Sequence, residues 1–327
     1  MLVIDKPSGP TSHDVVARMR RVLRERRIGH TGTLDPIATG VLPLVVGRAT
    51  RLARFLSAAD KSYETVIRLG FATDTGDAEG SQIGARYDGP LPLREAIDRT
   101  LDAFRGQFLQ QPPAFSAKKI AGRRSYDLAR GGQAAVRLRS SGRGRAAVRL
   151  QSGSNQAAAG EERVRPAAAT VTAHAIEILS VVADQVTLRI DCSAGFYVRS
   201  LAHDLGERLG TGAHLVALRR TRSGEHSLAD TLPLDTAERD PDQARQRVVP
   251  LARMLTQLPA ISLDPDAVRR TLHGRDLESS ESPQPDESEV AGPESRFVRL
   301  LDADGDLVAI AERTGASGLL HPSVVLR

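Results

Sequence analysis

The chain has 327 residues, 40% hydrophobic and 26% charged, a balance that suits a globular protein of one or two domains and excludes a wholly disordered chain. Its net charge of +5 is carried overwhelmingly by arginine, whose planar fork suits phosphate, whereas aromatics at 3% with no Trp give no basis for an extended base-stacking platform. The single cysteine, Cys192, excludes an intrachain disulfide and CxxC metal or redox motifs, and no stretch approaches the roughly 20 apolar residues of a membrane span.

The opening Met1-Leu-Val-Ile-Asp-Lys-Pro has no basic region leading into an apolar run, so no signal peptide is expected and a cytoplasmic location is. Residues 2–4 read as a short strand ended by the turn Lys6-Pro7-Ser8-Gly9-Pro10, after which Thr11 or Ser12 can cap a helix. Val15, Val16, Met19, Val22 and Leu23 then follow helical spacing. Arg18, Arg20, Arg21, Arg24, Arg26 and Arg27 take much of the remaining circumference, so one face is core and the other cationic. Taken alone, such a face is most often a solvated surface. Residues 29–40 form a loop punctuated by three glycines and a proline, leading into the apolar run 41–46.

Strand-like alternation recurs at residues 63–69, 186–191, and 297–301 paired with 307–311 across the turn 302–306. Helices are expected at 93–104, 125–130, 200–209 and 265–273. The class is therefore α+β or mixed α/β. Residues 133–163, rich in Ala, Arg, Gly and Ser with a near repeat of Ala-Ala-Val-Arg-Leu at 134–138 and 146–150, read as a flexible basic insertion. Residues 278–295 hold Glu, Asp, Ser and Pro without a basic side chain and read as an acidic disordered insertion. The stretch 231–258 reads as a connection, which puts a domain boundary near 250: a large unit over 1–250 and a small β-rich one over 251–327.

Some motifs fail on inspection. Thr73-Asp-Thr-Gly-Asp-Ala-Glu-Gly80 resembles a calcium loop, but glycine stands where a third liganding side chain belongs and the distal Glu is missing. Ser116-Ala-Lys-Lys119 fits an S-x-x-K pattern that recurs by chance and lacks companions. No P-loop, G-x-S-x-G or G-x-G-x-x-G is present, so neither a cofactor nor a metal is expected.

Asp35 stands apart. Pro36 biases it toward extended backbone and the flanking glycines permit tight turns, so a carboxylate is presented from a shaped loop. Between residues 17 and 54 nine Arg stand against Glu25 and Asp35, a local balance of +7 that suits a polyanion. From spacing alone, the reading to be preferred is that Asp35 caps the following turn or forms an ion pair.

The motifs carry a resemblance. Leu2-Val-Ile-Asp-Lys-Pro-x-Gly, Gly29-His-Thr-Gly-x-Leu-Asp-Pro-x-Ala-Thr-Gly40, Lys61-x-Tyr63, Arg68-Leu-Gly70, Thr73-Asp-Thr-x-Asp77, Gly195-x-Tyr-x-Arg199 and Gly212-Ala-His-Leu-x-x-Leu-Arg-Arg220 occur in order. Together they resemble the bacterial TruB family of tRNA pseudouridine synthases, which modify uridine 55 in the TΨC arm. The match spans most of residues 1–225. It implies a pseudouridine synthase core with a mixed, largely antiparallel sheet and, more weakly, a small C-terminal β-rich PUA-like domain that binds RNA.

The same resemblance implies the chemistry. Uridine is flipped out, its glycosidic bond is cleaved, and the base is turned and rejoined through C5, with no cofactor. Asp35 matches the nucleophile and Arg199 its arginine partner, a guanidinium that keeps a carboxylate ionised and oriented. Tyr63 matches the residue on which the flipped base stacks and a candidate for proton removal, demanding for a phenol of ordinary pKa about 10. Tyr197 matches a second pocket tyrosine and Leu218 an apolar wall of the uracil site. His30 matches the residue that enters the space vacated by the nucleotide, and Lys6 a pocket-wall strand at the substrate. The expected partner is tRNA, read by shape and splayed bases. A monomer with no obligatory protein partner and no membrane attachment is expected. Two other readings stand beside this one: the guide-RNA-dependent subfamily, from which Arg68-Leu-Gly70 and Thr73-Asp-Thr-x-Asp77 point away, and a non-catalytic RNA-folding protein.

Overall fold

The computed structural model describes residues 1–113, 119–120, 123–124, 166–278, 295–314 and 319–326. The helix expected at 125–130 and the basic insertion at 133–163 lie outside these residues, as does nearly all of the acidic one at 278–295. The chain forms two compact units, Met1–Ala59 with Ser223–Arg327, and Asp60–Arg222.

In the first unit the strand Leu2–Lys6 pairs antiparallel with Thr39–Val46 and parallel with Leu232–Pro233, and Thr39–Val46 also pairs antiparallel with Ile28–His30. The helix Ser12–Leu23 buries Val15, Val16 and Met19, as its spacing requires. Thr11 is its cap: its hydroxyl accepts from the Asp14 backbone N–H while Asp14 takes the Thr11 N–H, a closed capping box. Part of the cationic face is paired within the fold. Arg18 meets Glu238 at 3.6 Å and Arg20 donates to the Ile28 carbonyl at 2.8 Å, while Arg21, Arg24 and Arg26 are exposed.

The C-terminal part of this unit is a four-stranded sheet in the order Ala260–Ser262, Phe297–Leu301, Leu307–Thr314, Leu319–Val325, with the helix Pro265–Leu272. Alternation sends Val298, Leu300, Ala309 and Ala311 to a core shared with Ala267. Leu307, Ile310 and Leu326 enter a second core with Met1, Val45, Ala49, Leu52, Met254 and Leu255. Phe297 meets Phe55 edge to face, with ring centroids 5.0 Å apart. The sequence division near 250 follows composition. Packing instead gathers both ends of the chain round one core.

The second unit is built on strands in the order Ala213–Ser223, Lys61–Leu69, Gln185–Cys192, Ala169–Val182, Gly106–Gln110. Lys61–Leu69 pairs antiparallel with Gln185–Cys192, which pairs antiparallel with Ala169–Val182, which pairs antiparallel with Gly106–Gln110. Odd positions of Lys61–Leu69 are buried. The helices Arg94–Leu101 and Val198–Leu209 bury Ile97, Leu101, Leu201 and Leu205. The mixed, largely antiparallel architecture expected from the sequence is present, and the strands Ala169–Val182 and Ala213–Ser223 are additions to the sequence reading.

Candidate active site

The seven residues singled out by the sequence divide between the two units: Lys6, His30 and Asp35 in the first, Tyr63, Tyr197, Arg199 and Leu218 in the second.

In the first unit the Asp35 loop is held from behind. Gly32 at φ +139° and Gly40 at φ +99° take backbone angles that side chains disfavour, which lets the chain turn tightly on either side of Asp35. The Asp35 carbonyl accepts from the Ala38 N–H at 3.0 Å, and the Pro36 carbonyl from Gly9 at 2.9 Å. Ser12, the alternative helix cap, does different work: its hydroxyl donates to the Leu34 carbonyl at 3.0 Å and accepts from the Leu34 N–H at 2.8 Å. Lys6 is fully buried, and its ammonium donates to the carbonyls of Pro7 at 2.9 Å, Pro36 at 3.2 Å and Ala38 at 2.6 Å. These bonds tie the end of the strand Leu2–Lys6 to the backbone of the Asp35 loop. Asp35 itself is half-buried, as is His30 at the end of its strand.

In the second unit the guanidinium of Arg199 is met by the loop 73–77. Its Nη1 donates to the Thr75 carbonyl at 3.0 Å and lies 3.9 Å from the Asp77 carboxylate, with both side chains buried. The loop is self-braced. Thr75 donates its hydroxyl to the Asp77 carboxylate at 2.6 Å, Thr73 to the Asp77 carbonyl at 2.7 Å, and the Ser81 N–H donates to Asp74. Its carboxylates are thus engaged by local donors and by Arg199. Among the described residues no cluster of His, Cys, Asp and Glu is arranged to hold a metal.

Arg199 sits in the first turn of the helix Val198–Leu209, whose N-cap is Tyr197 with extended backbone and no side-chain cap. Tyr63 is buried on the strand Lys61–Leu69 and Leu218 on Ala213–Ser223, strands that lie side by side and are tied by the Thr65 hydroxyl donating to the Ala217 carbonyl at 2.9 Å. Two residues before Tyr63, burial, helped by the charge of Arg220, pushes the Lys61 ammonium down to about 8. Burial also raises the Cys192 thiol to about 12, leaving it neutral. Sequence reasoning quoted Asp77 in a motif without a role and missed Ser12 and Gln110 as braces. For Asp77 the signal was its place in Thr73-Asp-Thr-x-Asp77; for Gln110 there was none.

Comparison with known proteins decides the family. Residues 20–142 match the TruB family pseudouridylate synthase N-terminal domain, and residues 199–256 the tRNA pseudouridylate synthase B C-terminal domain. The chain is 40% identical to tRNA pseudouridine synthase B of Solibacter usitatus over 100% of its length and 99% of that protein. This chain belongs to the TruB family. A second TruB relative, tRNA pseudouridine synthase B of Cupriavidus metallidurans, is 36% identical over 100% of this chain and 94% of its own. Among solved structures, a chain in an H/ACA RNP bound to a substrate RNA containing 2'-deoxyuridine is similar at TM-score 0.68 and 25% identity, covering 99% of this chain and 84% of that one. A chain of a Cbf5-Nop10-Gar1 complex is similar at TM-score 0.66 and 25% identity, with the same coverage.

Proposed function

We propose that this protein isomerises uridine 55 in the TΨC arm of tRNA to pseudouridine. The observation that carries the reading is full-length identity of 40% to a tRNA pseudouridine synthase B. The braced loop that presents Asp35 supports it. Asp35 is the nucleophile. The N1–C1′ bond of the flipped uridine breaks, the base turns, and C5 joins C1′; the C5 proton leaves and N1 gains one, so no redox partner is needed.

Arg199 serves as the family's arginine partner to the nucleophile, and its guanidinium is fixed by Thr75 and Asp77. Tyr63 stacks on the flipped base and is the candidate for proton removal, Tyr197 and Leu218 complete the uracil pocket, and His30 fills the vacated space. The arginines contact phosphate and the splayed loop is read by shape. Residues 251–327 act as a PUA-like RNA-binding module. The protein works as a cytoplasmic monomer without an obligatory protein partner. The curated relatives are named tRNA pseudouridine synthases, which favours this reading over a guide-RNA-dependent one.

The test uses a tRNA transcript labelled with tritium at C5 of uridine. Forming the C5–C1′ bond releases label to water. Wild type is expected to release only the TΨC-arm label, and Asp35→Asn none. Tight tRNA binding without release by folded wild type would sink the catalytic reading and leave an RNA-folding protein.

A further inference from the structure

We infer that Gln110 is a positioning residue for the arginine helix, its carboxamide setting the backbone of Tyr197 and through it the placement of Arg199. The inference rests on the proposed isomerase activity of the same site. Gln110 ends the strand Gly106–Gln110 and is 1% exposed. Its Nε2 donates to the Tyr197 carbonyl at 3.0 Å, and its Oε1 accepts from the Tyr197 N–H at 2.8 Å. One side chain thereby takes both backbone polar groups of one residue, as a neighbouring strand would.

Tyr197 is the N-cap of Val198–Leu209 and carries no side-chain cap of its own. Helix starts need an outside partner for their leading amides, and Gln110 binds the backbone where the helix begins. Three residues on, the Ser200 hydroxyl donates to the Gln111 carbonyl at 2.7 Å. The end of Gly106–Gln110 and the residue after it therefore grip the first turn on both sides of Arg199. The loop 73–77 grips its guanidinium. Arg199 is fixed at both ends, and the Gln110 end sits where water cannot substitute for a lost bond.

The pairing demands one donor and one acceptor in a planar group. Gln110→Met keeps the volume and removes both. Gln110→Glu keeps the acceptor but, ionised, faces the Tyr197 carbonyl with a second acceptor; protonated, it regains the donor. Burial raises a carboxyl pKa, so regain begins near neutrality.

Single-turnover tritium release would be compared for wild type, Gln110→Met and Gln110→Glu from pH 5.5 to 8.5, with melting curves for each. Gln110→Met is expected to react about 10- to 100-fold more slowly, the scale of a misplaced catalytic group, with KM within about twofold because direct RNA contacts remain. Gln110→Glu is expected to match that loss at pH 8.5 and to recover relative to wild type as pH falls. Hydrogen exchange at the Tyr197 amide, without RNA, is expected to speed up in Gln110→Met. A folded Gln110→Met with wild-type rate and exchange overturns the inference, as does a Gln110→Glu to wild-type ratio flat across pH. If Gln110→Met does not fold, the Gln110→Glu ratio decides alone. Absence of release by wild type would instead sink the isomerase reading, while exchange at Tyr197 would still report whether Gln110 holds it.

Discussion

Two buried lysines sit in different surroundings. The Lys6 ammonium sits among three carbonyls of its own loop system, so its charge is solvated by protein dipoles in place of water. Lys6→Met would leave the Pro7, Pro36 and Ala38 carbonyls short of their donor. A loss of about 2–4 kcal/mol in unfolding free energy is expected from urea titration, together with slower turnover at unchanged tRNA affinity as the Asp35 loop loosens. An Lys6→Met protein as stable and as fast as wild type would reject this. Lys61 is held at a cost, since burial and Arg220 lower its pKa from 10.5 to about 8. Between these values the unfolded chain keeps a proton that the folded one has lost, so stability rises with pH across 8 to 10.5; below 8 both states are charged and the cost is constant. The wild type should gain up to about 3 kcal/mol relative to Lys61→Met over that window, read from melts at pH 7.5 and 10.5. A constant difference would contradict it.

At the scale of elements, the helix Val198–Leu209 carries a glycine in its interior, ordinarily unfavourable by about 1 kcal/mol against alanine. A Cβ on Gly206 would stand 2.2 Å from the Ala213 backbone nitrogen, so the helix lies against the start of the strand Ala213–Ser223 with no room for a methyl. Gly206→Ala should therefore lower the melting temperature despite its better helix propensity, by the equivalent of about 1–3 kcal/mol, and slow turnover because Arg199 shifts with the helix. A more stable Gly206→Ala would show that the strand yields.

The same helix shows what sequence could reveal. Its start was expected at residue 200, two positions late, because Tyr197 is no conventional cap and Gln110, 87 residues away along the chain, supplies the anchoring bonds. The first helix was legible because Thr11 and Asp14 close a box within its own turn. Ala169–Val182 is not legible as a strand because register shifts between Ala173 and Ala175 and between Ile178 and Ser180 break its alternation. The connection expected over 231–258 contains the helices Leu234–Arg239 and Pro241–Gln246, too short for periodicity, although Asp240 before Pro241 marked the second start. In the candidate site Asp35 stands out only through the family motif that contains its loop, whereas the meeting of Arg199 with Asp77 depends on tertiary placement that no local pattern encodes.

At the scale of the molecule, composition placed a boundary near 250, but the core that contains Leu52 and Val45 is completed by Met254, Leu307, Ile310 and Leu326. The small sheet is thus part of the foundation under the N-terminal segment that carries Asp35. Ile310→Ala, fully buried there, should cost about 2–5 kcal/mol and lower the unfolding midpoint of the unit Met1–Ala59 with Ser223–Arg327. Hydrogen exchange in Thr39–Val46 should accelerate with it. Unchanged protection in that strand would mean the sheet is an independent appendage.

Building one unit from both ends of the chain sets an order of events at the ribosome. Synthesis proceeds at about 5–20 residues per second, and the apolar side chains of Val45, Ala49 and Leu52 emerge long before Ile310 and Leu326, their partners in the finished core. By then Lys61–Leu69, Gln185–Cys192, Ala169–Val182 and Gly106–Gln110, which pair with one another, have all been made. The Asp35 loop is therefore among the first parts translated, while the unit that carries it is among the last to be completed, so a message truncated late leaves the core of Met1–Ala59 with Ser223–Arg327 unfinished.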